Sequence, residues 1–304
     1  MTDLVIAHLY PDLLRTYGDR GNVVALSRRA EWRGFSVRVE EVCLGEPLPP
    51  DANIVLLGGG TDNVQSIIGR DVASRAVEVR AAVARGAVVL GICGGYQLLG
   101  RSYVLPDGGV VQGLGVLDVE TRASRDRLVG RVRGDATLWG RSFELVGFEN
   151  HGGRTTVGPA AEPLAHVPRR HGNNGRDHGE GASQGGVLGT YLHGPVLAIN
   201  PELTDAILAR ALVTLTGGEE LERLDEILER RAHDGMARRA RDDRRPARRR
   251  RFAIAGIMAV VVVATLGAPE AFERREDGDS GGRLGFGSLV HEVHVERSGL
   301  TDVR

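Results

Sequence analysis

The chain has 304 residues, which suits one large domain or two modest ones, and a formal net charge of −1 that hides a strong charge asymmetry along the sequence. Aromatic residues make up 4%, against a nucleic-acid binder that stacks bases. Two cysteines cannot build a disulfide framework and point to a reducing, cytoplasmic compartment.

The N-terminal stretch lacks a basic region and a long apolar core, so it reads as a strand over Leu4–Leu9 rather than a signal peptide. A polar, glycine-punctuated loop follows to Asn22. Helical spacing runs from Val23 to Arg33 and stops at Gly34. Phe35–Glu40 alternates like a half-exposed strand, and Asn53–Leu57 reads as a buried strand ending in Gly58-Gly59-Gly60. Cys43 reads as a packing residue. Asp71–Arg85 reads as an amphipathic helix with Gly86 after its end. Apolar strands alternating with helices predict an α/β fold, a mostly parallel open sheet with helices on both faces.

The chain is organised around Gly91-Ile92-Cys93-Gly94-Gly95. Val88–Leu90 before it is a short apolar strand, and Tyr96–Leu99 after it begins a helix. This is the pattern of a nucleophile elbow with cysteine in place of serine. A sharp turn strains the nucleophile's backbone and leaves room only for residues without a Cβ close by. A buried core thiol is the alternative, but glycines on both sides favour the nucleophile. Gly58–Gly60 ends a neighbouring strand, so Gly60 and Gly94 are candidate backbone donors to an oxyanion. The alternative there is an ordinary tight turn. A phosphate loop of the GxxxxGK[ST] type is absent from the sequence.

Val110–Val146 is glycine-rich, strand-like and carries Arg122, Arg125, Arg127, Arg131 and Arg133. Gly147–Thr155 reads as a polar turn cluster containing His151, and Pro168–Gly186 as a mobile hairpin or lid. Gly186–Pro195 is a short strand ending in His193, which can face the crevice as a general base for Cys93. His151, His171 and His178 have weaker claims. No grouping of His, Cys, Asp and Glu shows metal-ligand spacing, so no metal is expected.

After Leu212 the chain turns charged. Glu219–Arg231 reads as an amphipathic helix with a stripe of Leu221, Leu224, Ile227 and Leu228. The expected organisation is a catalytic domain over 1–212, this helical segment over 213–237, and a basic linker over 238–251. A candidate membrane helix over 252–268 and a poorly ordered tail over 269–304 complete it. The uncharged run from Phe252 to Ala268 sits at the lower length limit for spanning, and the arginines before it would keep the enzyme on the cytoplasmic side. A buried strand and helix is the alternative.

Gly91-Ile-Cys-Gly-Gly-Tyr-Gln97 together with Gly189-Thr-Tyr-Leu-His-Gly194 resembles the class I glutamine amidotransferases in their cobyric acid synthase-like branch. Leu9–Asn22, Gly58–Gly60, Gly147–Thr155 and Gly172–Gly175 narrow the resemblance to the GatD-type subunits of lipid II isoglutaminyl synthase, over about residues 1–235. The resemblance implies a flavodoxin-like fold and a glutaminase that passes ammonia to a MurT-like Mur ligase in a heterodimer. That partner would use ATP and Mg to activate the D-glutamate α-carboxylate of lipid II. No cofactor is expected in this chain. Cys93 and His193 are the implied catalytic pair, and Arg127 the implied clamp on the glutamine carboxylate, with Arg125 and Arg131 close by. The glutamate that typically stands two residues after the histidine is replaced here by Pro195. The missing acid is then another residue of this chain or one supplied by the partner, and partner completion is the expectation. Other readings are a stand-alone cysteine hydrolase and an amidotransferase subunit for a corrinoid acceptor.

Overall fold

The structure is a computed structural model that describes residues 3–242, apart from positions 15 and 219. All of them belong to one compact unit. The expected membrane helix over 252–268 and tail over 269–304 lie outside the described residues. Among the described residues no helix is long and apolar enough to cross a membrane.

In chain order the elements begin with β1 (Leu4–Leu9), α1 (Arg20–Glu31), β2 (Val37–Val42), β3 (Ile54–Leu57), α2 (Asp62–Ser74), α3 (Ala76–Ala84), β4 (Val88–Ile92) and α4 (Gly94–Leu99). Then come β5 (Ser102–Val104), β6 (Val110–Gln112), β7 (Val119–Leu138), β8 (Arg141–Val157), β9 (Ala165–His166), β10 (Gly179–Glu180), β11 (Ala182–Gln184), β12 (Val187–Thr190) and β13 (Leu192–His193). The chain ends its described part with α5 (Val196–Ile199), α6 (Pro201–Ala211), α7 (Val213–Thr216) and α8 (Ile227–Asp242).

The first sheet is six-stranded in the order β11-β12-β4-β3-β1-β2, parallel apart from the edge strand β11. Its central strands are apolar on both faces because both faces are covered. Leu4, Ile6, Ile54, Leu56, Val88 and Leu90 pack on the α1 and α6 side. Ala7, Leu9, Val55, Leu57 and Val89 pack with residues of α2, α3 and α4. This is the expected open α/β sheet. A second, seven-stranded sheet is built around the long β7–β8 hairpin, and β13 joins it by pairing with β8.

Four local expectations are corrected. The helix expected over Asp71–Arg85 is two helices that meet at Arg75, whose guanidinium is drawn inward to Asp71 Oδ2 (2.7 Å) and the Tyr10 hydroxyl (2.8 Å). Gly147–Thr155 is not a turn but the body of β8, and its buried polar side chains find backbone partners: Glu149 Oε2 accepts the Gly172 N–H at 2.8 Å, and His151 Nδ1 lies 3.0 Å from Gly153 O. Pro168–Gly186 holds Asn173 and Glu180 fully buried, so these two anchor the segment to the core while Arg176–His178 stay exposed. Finally, residues 220–226 carry no helix and α8 starts only at Ile227. Ile227 and Leu228 are exposed, whereas Met236 and Ala237 are buried against Val146 and Ile199. Charge sets that register: Glu226 and Glu229 are both held by the buried Arg29 of α1.

Candidate active site

Cys93 sits between β4 and α4 with φ 49° and ψ −99°, in the strained positive-φ region. Its N–H donates to Thr190 O at 2.8 Å, and its carbonyl accepts the Gln97 N–H at 3.1 Å. The glycines around it are needed for close approach. A Cβ on Gly95 would stand 2.4 Å from Leu57 O, and one on Gly94 would stand 2.7 Å from Gly60 N. The elbow therefore packs directly onto the end of β3, and Gly60 and Gly94 are backbone neighbours as the sequence implied.

His193 ends β13, which pairs antiparallel with Phe148 and Glu149 of β8. The imidazole thus reaches the cysteine from the second sheet, not from the strand edge that carries Cys93. The chain switches sheets at Tyr191: Thr190 still pairs with Ile92 of β4, and Leu192 already pairs with Glu149.

Asp19, just before α1, completes the group. Its Oδ1 lies 3.5 Å from His193 Nδ1, and both side chains are buried. Its Oδ2 accepts the Gly59 N–H. A Cβ on Gly59 would stand 2.9 Å from Asp19 Oδ2 and 3.0 Å from His193 Cε1, so this glycine leaves the space in which acid and imidazole meet. Burial disfavours a charged His193. Negative charge on Cys93 Sγ, hydrogen bonds to Asp19 and Cys93, and the charge of Asp19 outweigh it, and the imidazole is raised to about 10. A carboxylate placed to orient His193 thus lies within this chain, in the Leu9–Asn22 loop, as the alternative to an acid supplied by a partner. Asn22 fixes the same loop to the segment after His193 by accepting the Leu197 N–H at 3.0 Å.

A buried polar layer lies beneath this group. The His151 ring stacks on Tyr191 with centroids 3.6 Å apart. The Tyr191 hydroxyl bonds to Thr155 Oγ1 (2.6 Å) and accepts from Gln97 Nε2 (3.2 Å). Burial opposes charge on Glu149, but hydrogen bonds with His151 and His171 and the Gly172 N–H hold its carboxyl below the ordinary range. Burial outweighs Glu149 at His151 and pushes that imidazole below its usual value. His151, given a weak claim by sequence, is a buried part of the site floor.

Arg127 is placed differently. It is exposed, beside the register irregularity of β7 between Ala123 and Leu128. Its Nε donates to Asn150 Oδ1 (2.8 Å) and its Nη2 to Asn150 O (2.7 Å). It is tied to the residue preceding His151, and these contacts do not include Cys93 or His193. Cys43 is half-buried, with its N–H donating to Glu46 Oε2 at 2.8 Å.

Sequence reasoning missed Asp19 as a member of the group. The one available signal was its position within a loop whose motif already matched, because an acid in a glycine-rich loop is otherwise unremarkable.

Residues 5–201 match the model of the CobB/CobQ-like glutamine amidotransferase domain. The chain is 40% identical over 212 residues to the Staphylococcus aureus lipid II isoglutaminyl synthase (glutamine-hydrolyzing) subunit GatD, covering 69% of this chain and 85% of the relative. The Streptococcus pneumoniae GatD subunit is 38% identical over 213 residues, 69% of this chain and 80% of that one. A cobyric acid synthase from Rhodobacter capsulatus is 39% identical over 163 residues, but only 32% of its length is matched. With the elbow cysteine, the histidine and the matched span in agreement, the chain belongs to the CobB/CobQ-like glutamine amidotransferase family.

Proposed function

We propose that this chain is the glutamine-hydrolysing subunit of a lipid II isoglutaminyl synthase. The observation that carries it is the convergence of strained Cys93, His193 and Asp19, set in a chain that matches most of the length of two GatD relatives.

Cys93 Sγ attacks the carboxamide carbon of L-glutamine. The Gly60 and Gly94 N–H groups stabilise the oxyanion that forms. His193, oriented through Nδ1 by Asp19, protonates the departing ammonia and leaves a γ-glutamyl thioester on Cys93. His193 then takes a proton from water as it attacks the thioester, and glutamate and the free thiol are released. Arg127 holds the α-carboxylate of glutamine.

The ammonia goes to a MurT-like Mur ligase partner in the reducing cytoplasm. That subunit would supply ATP and Mg and amidate the D-glutamate α-carboxylate of lipid II. The long matched span of the GatD relatives, against the short one of cobyric acid synthase, supports this acceptor over a corrinoid.

The test is co-expression with the ligase partner and comparison of wild type with Cys93→Ala. The variant should amidate lipid II with free ammonia and fail with glutamine. Equal activity on glutamine would overturn the role of Cys93, and amidation of a corrinoid instead would overturn the acceptor.

A further inference from the structure

Two chain crossings between the sheets run beside one another next to the catalytic pair. In one, the chain leaves β10 of the second sheet at Glu180 and enters β11 of the first at Ala182. In the other, it leaves β12 of the first sheet at Thr190 and enters β13 of the second at Leu192. Gly181, with φ +59°, permits the close approach: a Cβ there would stand 2.3 Å from Gly189 O.

Glu180 joins the crossings. It is fully buried. Its Oε1 accepts the Thr190 hydroxyl at 2.9 Å and the Tyr191 N–H at 2.8 Å. Thr190 Oγ1 in turn accepts the Leu192 N–H at 3.0 Å. One carboxylate oxygen therefore fixes, directly or through a single hydroxyl, the three residues that precede His193. Thr190 also holds the nucleophile, because its carbonyl accepts the Cys93 N–H at 2.8 Å. Both halves of the catalytic pair hang on the segment that Glu180 braces.

We propose that Glu180 is a positioning residue for glutamine hydrolysis, which braces Thr190–Leu192 and so sets the separation and orientation of Cys93 and His193. This rests on the glutaminase reading given above. A buried carboxylate is a costly brace, and here it accepts a buried hydroxyl and a buried N–H that an apolar side chain would leave unpaired. The brace matters beside the catalytic pair because an error in the angle of one strand end misplaces an imidazole, and small misplacements cost large factors in rate.

The test measures glutamate release by the full chain with its ligase partner, per Cys93 site labelled by iodoacetamide, for wild type, Glu180→Ala, Glu180→Gln, Thr190→Val and the Ala/Val double variant. Expected results are a kcat at least tenfold lower in Glu180→Ala with KM for glutamine within threefold, and near-recovery in Glu180→Gln, which keeps the acceptor oxygen. Thr190→Val should share the kcat loss, and the double variant should be no worse than Glu180→Ala. Glu180→Ala within twofold of wild type, Glu180→Gln as impaired as Glu180→Ala, or losses that multiply in the double variant would each overturn the proposal. If Glu180→Ala does not fold, Thr190→Val decides, a kcat within twofold of wild type overturning it and a threefold or greater loss at constant KM upholding it. A wild type without Cys93-dependent glutamate release would instead remove the glutaminase reading itself.

Discussion

Asp19 Oδ1 and His193 Nδ1 stand 3.5 Å apart in the interior, although one residue lies in the first loop of the chain and the other ends a strand of the second sheet. The pairing supplies what Pro195 cannot. It also fixes which imidazole nitrogen faces the acid, and in the proposed mechanism this leaves Nε2 for the thiol and the leaving group.

Asp19→Asn should lower kcat for glutamine hydrolysis on the order of 10²-fold while the fold is retained, because the amide no longer favours the imidazolium that forms during proton transfer. The same change should lower the titration of His193, as should Cys93→Ala, since both remove charge that raises it to about 10. The sign is that of a raised base. Its contribution to stability is complete below the unfolded value of 6.5 and is lost as pH rises through about 10. Histidine ring NMR titration of wild type and both variants checks the shift, and an unchanged His193 in Cys93→Ala would refute it.

Glu180 titrates in the opposite sense to most carboxylates. Burial pushes it up to about 7, against hydrogen bonds from the Tyr191 N–H and the Thr190 hydroxyl and with added repulsion from Glu149. The buried Tyr96 phenol also faces its charge. Because the folded state binds this proton more tightly, stability contributed by the neutral form is present below 4.5 and lost as pH rises to about 7. The loss is on the order of 3 kcal/mol. Urea unfolding of wild type and Glu180→Gln at pH 5 and pH 8 should show the difference moving in favour of the glutamine variant by that order. A pH-independent difference would show that the carboxyl does not change its charge on folding.

Arg29 is the anchor of the C-terminal segment. Its Nε and Nη2 donate to Asp205 at 2.8 and 2.7 Å, and Nη2 also donates to Glu226 at 2.6 Å. Arg29→Ala removes the buried cation that joins these part-buried carboxylates, which keep Arg33 and Arg230 as partners, and should cost about 1–3 kcal/mol. The residual fold should exchange the amide hydrogens of α8 faster, because Glu226 and Glu229 no longer set its register. Denaturant unfolding with hydrogen exchange measures both. A cost below about 1 kcal/mol would mean that packing of Met236 and Ala237 alone seats the helix.

Local rules determined a good part of this protein. Leu4–Leu9 and Ile54–Leu57 were legible as strands because both faces are covered, so every residue except His8 is apolar. The elbow at Cys93 was legible because a strained strand-to-helix turn demands glycine at adjoining positions, and that demand is written within a few residues. His193 was legible from its place at a strand end beside a glycine. The tertiary structure alone decided that β13 belongs to a second sheet, that Gly147–Thr155 is a strand over a buried polar layer, and that Asp19 faces His193. It also decided that the polar run around Glu180 is core and that α8 begins at Ile227. The reason is physical. A polar residue looks the same in sequence whether water or a distant partner satisfies it, and only the folded chain brings that partner within hydrogen-bond reach.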